Sequence, residues 1–160
     1  MKNSKVFIYW FEFEDSATPK SDEQSNIYFY QTIILAPSSA EALSWGDTLS
    51  NELVKKGDAV SIRSSWLEDV IPVLITPNGH KAINWESISR KEIESYYQGT
   101  ASSNDKLGKN INAFIYANSE KNAKRFWNDY LLENQLNYKV ETCSKPAISI
   151  TKVGMSVDWL

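Results

Sequence analysis

Residues 5–14 alternate strictly, with Phe7, Tyr9, Phe11 and Phe13 on one face and Val6, Ile8, Trp10, Glu12 and Glu14 on the other. Period-two alternation predicts a strand, buried on the first face and running from apolar to acidic on the second. A polar stretch with Pro19 follows, and residues 27–36 then form a second run rich in aromatic and β-branched residues. The pattern next changes to helical spacing. Ala42, Trp45, Leu49 and Leu53 recur on one stripe, Ser38 and Glu41 supply a capping box, and Lys55, Lys56 and Gly57 close the run. Residues 60–66 read as the next strand.

A second strand–helix–strand pattern comes near the C-terminus. Residues 111–117 are strand-like, and Ser119 is placed to cap a helix over 120–134 that carries Ala123, Phe126, Trp127, Tyr130 and Leu131. Residues 138–143 are again strand-like, and 147–153 continue past Pro146 or pair beside them. Shifting the first pattern by 81 positions places Ala36 on Ala117, Ala42 on Ala123, Trp45 on Phe126 and Leu49 on Tyr130. Two related halves are therefore expected. Between them, residues 70–76 read as an edge strand carrying Pro72, and Pro77, Asn78 and Gly79 as a turn leading to a return strand over 80–85. Ser89 and Glu92 open a short helix that Gly99 ends, and residues 100–109 read as a surface loop.

The expected fold is α+β: one domain over residues 1–160, with an antiparallel or mixed sheet and two long helices on one face. It is close to a ferredoxin-like arrangement with two strand–helix–strand halves, an inserted segment over 70–109 and the N-terminal strand extending the sheet.

Composition narrows the functional classes. Cys143 is the single cysteine and His80 the single histidine, so neither a disulfide nor a cysteine- or histidine-rich metal cluster is expected. No cofactor is implied: no glycine-rich phosphate loop lies at either strand-to-helix turn. The apolar N-terminal run is too short for a signal peptide or a membrane span, and the chain reads as cytoplasmic with no membrane association. Residues 1–80 carry a net charge of −5 and residues 81–160 a net of +2. With 14 Lys and only 3 Arg, none in a basic stripe, nucleic acid is not the expected partner.

Three sets of residues carry candidate chemistry. Glu12 and Glu14 share a strand face, an arrangement that suits acid–base work or cation binding with Asp15 or Asp22, but also an edge protected from aggregation. His80 follows a turn and would form a nucleophilic pair with Cys143 only if the fold brought them together. The aromatic set is the largest, 20 of 160 residues. Phe7, Phe11, Phe29, Trp45 and Phe126 fit a core by periodicity, whereas Tyr28, Tyr30, Trp66, Trp85, Tyr96, Tyr97 and Trp159 do not obviously belong to it. Trp and Tyr outside the core are the residues of interface hot spots, although Trp66 and Trp85 would equally serve a satellite core.

The expected function is a non-catalytic protein-binding module of inhibitor or immunity type. It would bind a basic protein partner through Glu12, Glu14, Asp15, Trp66, Trp85 and Tyr96, as a monomer. Two alternatives stand beside it: a small-molecule sensor, and a small enzyme using Glu12 and Glu14 or His80.

Overall fold

The computed structural model describes residues 5–14, 27–55, 61–105, 108–145 and 149–152. The chain is mixed α+β, with mostly antiparallel strand pairing and three helices among the described residues. It divides into two compact units, Met1–Leu67 with Ile148–Leu160, and Glu68–Ala147.

The first unit contains β1 (Lys5–Glu14), β2 (Ile27–Ala36), α1 (Ser39–Lys55), the opening of β3 (Ser61–Thr76) and β8 (Ser149–Lys152), with strand order β8-β2-β1-β3. β1 and β2 pair antiparallel from Lys5 opposite Ala36 to Glu14 opposite Ile27, and β8 lies parallel to β2. The expected alternation sets the faces. Phe7, Tyr9 and Phe11 join Ile34, Ala36 and the α1 residue Ala42 in one buried cluster, bordered by Tyr30, Trp45 and Leu67. The start of α1 follows from Ser38, whose hydroxyl accepts from the Glu41 amide at 3.2 Å. Trp45, expected on the buried stripe, only borders the core. The deepest contact is made from the sheet, where the Tyr9 ring lies against the Gly46 backbone so closely that a Cβ there would sit 2.2 Å from Tyr9 Cδ2.

The second unit holds the rest of β3, β4 (Gly79–Ala82), α2 (Arg90–Glu94), β5 (Tyr97–Ser103), β6 (Ile111–Ile115), α3 (Glu120–Glu133) and β7 (Tyr138–Ser144). Its strand order is β7-β5-β6-β3, with β4 paired to β3. β5 is antiparallel to both neighbours, and β3 is parallel to β6. Ser119 caps α3 by accepting from the Asn122 amide at 3.1 Å. Ala123, Trp127 and Leu131 then pack on Ile75, Ala101, Ala113, Ile115 and Cys143. Here the close approach is reversed: Trp127 of the helix lies over Gly99 of the strand, 2.7 Å from where a Cβ would be.

The two units follow one plan. Tyr9 pairs with Thr32 and Gly99 with Ala113. Thr32 and Ala113 are 81 positions apart, as are the caps Ser38 and Ser119 and the contact residues Gly46 and Trp127. β3 and β8 also correspond, since Ile34 pairs with Thr151 and Ile115 with Ile75.

Several expectations need correction. In a ferredoxin-like sheet the strand between two helix-linked strands comes from the other half. Here β1 lies between β2 and β3, and β5 between β6 and β7, so that strand precedes the helix in the same unit. β1 is accordingly interior rather than an extension. The inserted segment does not span 70–109, because residues 70–76 and 97–103 are ladder strands of the second unit. Pro72 is accommodated where the β3–β6 register shifts between Val70 and Leu74, the setting in which a strand tolerates a missing N–H. The short helix ends at Ser95 rather than at Gly99, and the return strand is Gly79–Ala82.

Candidate interaction surface

The face of β1, β2 and β3 turned away from α1 grades along its length. Val6, Ile8, Ile33 and Leu35 are buried at one end. At the other end Trp10, Glu12, Phe29, Ser64 and Trp66 come together. Phe29 is opposite Glu12 in the hairpin register. Leu67 borders the cluster beneath α1, so its neighbour Trp66 takes the other face. Trp10 and Trp66 stack with centroids 6.0 Å apart and planes at 9°, and Phe29 meets Trp66 edge-on at 6.5 Å. Phe29 keeps 57% of its surface exposed and Trp66 36%. Ser64 Oγ donates to Glu12 Oε2 at 3.5 Å, which ties the carboxylate to the same patch. Three aromatic rings beside an acid on a strand-built platform offer area, rigidity and charge together.

The structure thus joins Glu12 to Trp66 and adds Trp10 and Phe29. Glu14 extends the strand face two residues beyond Glu12, with its backbone opposite Ile27, and its side chain lies outside the described residues, as does all of Asp15. Trp85 and Tyr96 belong to the second unit and are buried. Trp85 donates its indole N–H to the Pro72 carbonyl at 3.0 Å and packs edge-on against Phe114. Tyr96 donates to Glu92 Oε2 at 2.9 Å, and burial followed by that carboxylate pushes its pKa up to about 12. Both serve the interior of their unit. Phe29, expected in the core, is the most exposed ring of the patch. Its parity is set by pairing with β1, so the assigned register, rather than hydrophobicity, would have identified it.

The catalytic candidates are placed less favourably. Cys143 is in the buried cluster beneath α3, and burial pushes its thiol up to about 12, so the nucleophilic thiolate is suppressed. His80 is exposed on the β3–β4 hairpin and touches Tyr130 edge-on at 5.7 Å. Among the described residues no group of three or more His, Cys, Asp or Glu is arranged to hold a metal ion. A buried polar cluster does exist on the second unit's sheet. Asn112 donates to Glu68 Oε1 at 2.9 Å and accepts from Thr100 Oγ1 at 2.7 Å. Amide and hydroxyl partners there satisfy buried groups, the usual requirement for their burial. Among the described residues no helix is long and apolar enough to cross a membrane. Comparison with known proteins finds no match to the chain, whether to a family model, a curated protein or a solved structure.

Proposed function

We propose that the chain is a non-catalytic protein-binding module of inhibitor or immunity type. In this reading it presents the Trp10, Phe29 and Trp66 patch, with Glu12 beside it and Glu14 on the same strand, to a basic protein partner. The observation that carries the reading is the exposure of stacked aromatic rings on an ordered sheet face next to a carboxylate. Large rings held by their neighbours lose little side-chain freedom on binding, which is why such residues dominate interface energetics. The acid contributes encounter rate and partner choice more than affinity. The reading carries with it a monomeric, cytoplasmic chain.

The test compares wild type with a Phe29→Ala/Trp66→Ala variant as bait in the native host. Circular dichroism establishes first that the variant is folded. The expected result is a stoichiometric basic partner held by wild type and lost from the variant, with wild-type association slowed by salt. A partner held equally by both proteins refutes this surface, and a small molecule retained without a protein refutes the class.

A further inference from the structure

In the second unit a half-open groove of about 300 Å³ runs between the β3–β4 turn and the C-terminal half of α3. Its walls include Asn78 and His80 from the hairpin, and Phe126, Asp129, Tyr130 and Glu133 from the helix. The helical residues recur at three- and four-residue spacing, which puts two carboxylates and two aromatic rings on one face. Asp129 and Glu133 make no hydrogen bond or ion pair with any of the described residues.

That placement is electrostatically unfavourable for the helix itself. Like charges four residues apart repel, and Glu133 stands in the last turn, where the helix end is already negative. The last turn carries no basic residue to compensate. Arg125 lies over the Phe126 ring at 5.1 Å instead of pairing with Asp129. The same contact shows a guanidinium accepted on a ring of this wall.

We infer that this groove binds an arginine side chain of a polypeptide partner, with the guanidinium between Asp129 and Glu133 and against Tyr130. The inference concerns a site other than the Trp10–Phe29–Trp66 patch and stands without it. The groove's size is at the low end for ligand sites and suits one extended side chain better than a cofactor. Arginine is favoured over lysine because a planar fork pairs with carboxylates and stacks on an aromatic face at once.

The experiment is an amide NMR titration of the full chain with the tripeptide amide acetyl-Gly-Arg-Gly. The neutral citrulline analogue is the control. Saturable shifts centred on His80, Asp129, Tyr130 and Glu133 are expected, at an affinity in the millimolar range typical of one side chain. The citrulline peptide and an Asp129→Asn/Glu133→Gln variant should each lower that affinity by about tenfold, since removing either charge removes the attraction. The carboxylates are exposed, so the variant's spectrum elsewhere should match wild type. Absence of shifts, equal binding of the citrulline peptide, or undiminished binding by the variant overturns the assignment.

Discussion

Gly46→Ala tests the packing of the first unit. By helix propensity alone the change should stabilise α1 by about 1 kcal/mol. The structure predicts the opposite sign. An added Cβ would stand 2.2 Å from Tyr9 Cδ2 and 2.5 Å from both Cε2 and Cγ. Carbon atoms in good contact are roughly 3.5–4.0 Å apart, so the ring or the helix must retreat by more than an ångström. The ring has no room, being fully buried among Phe7, Phe11 and Ile34. Its hydroxyl is also tied to the helix it would have to leave, donating to Asp47 Oδ1 at 2.6 Å. Overpacking of this kind costs about 1–3 kcal/mol, and a lost hydrogen bond to a carboxylate roughly 1.5–3. Allowing for the helix gain and the exposure of Asp47, the net should be a loss of about 2–4 kcal/mol.

Urea denaturation read by circular dichroism measures that loss as a lowered midpoint at unchanged slope. A double-mutant cycle identifies its origin. Tyr9→Leu removes the ring at its own cost, and in that background Gly46→Ala should recover at least about 1 kcal/mol of its penalty through coupling between touching residues. Strict additivity, or a Gly46→Ala variant as stable as wild type, would refute the seating of Tyr9 on Gly46.

Two further outcomes are expected. Gln135 has φ 55° just after α3, where the Leu136 and Gln135 amides bond back to the Leu131 and Leu132 carbonyls, so Gln135→Gly should raise stability by roughly 0.5–1 kcal/mol; an unchanged or lowered denaturation midpoint would count against that strain. Stability should fall as pH rises from 9, because the Cys143 thiol ionises near its ordinary 9.0 when unfolded but only near about 12 when folded, and Tyr9 and Tyr96 add the same effect between 10 and about 12. Stability that stays flat between pH 9 and 11, or iodoacetamide alkylation of the native thiol at the unfolded rate, would contradict this burial.

Local signals carried much of the architecture. The alternation of residues 5–14 located β1 and both its faces, Ser38, Ser89 and Ser119 each cap a helix as their spacing implies, and Pro77–Asn78 makes the β3–β4 turn with Gly79 opposite Thr76. What failed was long-range pairing. Residues 97–103 carry Gly99, Ala101, Ser102 and Ser103 where a strand is usually β-branched or aromatic, and at Gly99 the reason is Trp127, which occupies the space above it. Pro72 made residues 70–76 look like an edge strand, and the bulge that absorbs it depends on β6, some forty residues away. Of the site, Glu12 and Trp66 were accessible by parity and composition. Trp10 shared Glu12's face by the same alternation, whereas Phe29 required the hairpin register, which a long loop leaves unspecified.

The repeated plan provides an internal comparison that bears on function. Pairing registers align Tyr97 with Phe7, Gly99 with Tyr9, Ala101 with Phe11 and Ile115 with Ile34, and all of these face their unit's long helix. One large exchange there is balanced, Tyr9 over Gly46 in one unit and Trp127 over Gly99 in the other. Side-chain volume has moved from strand to helix without changing the plan, as close packing demands. On the opposite face the same alignment sets Trp10 against Thr100, Glu12 against Ser102 and Phe29 against Asn110. The scaffold tolerates small polar residues at all three positions. The exposed rings of the first unit are therefore not a requirement of the strand–helix–strand plan, and exposing them has a solubility cost. That asymmetry supports the partner-binding reading proposed above. Replacing Phe29, the most exposed of these rings, by the Asn that the other unit uses should then leave stability within about 1 kcal/mol of wild type, since exposed changes are usually small. The same variant should lose the partner. A variant that unfolds would make the ring structural after all.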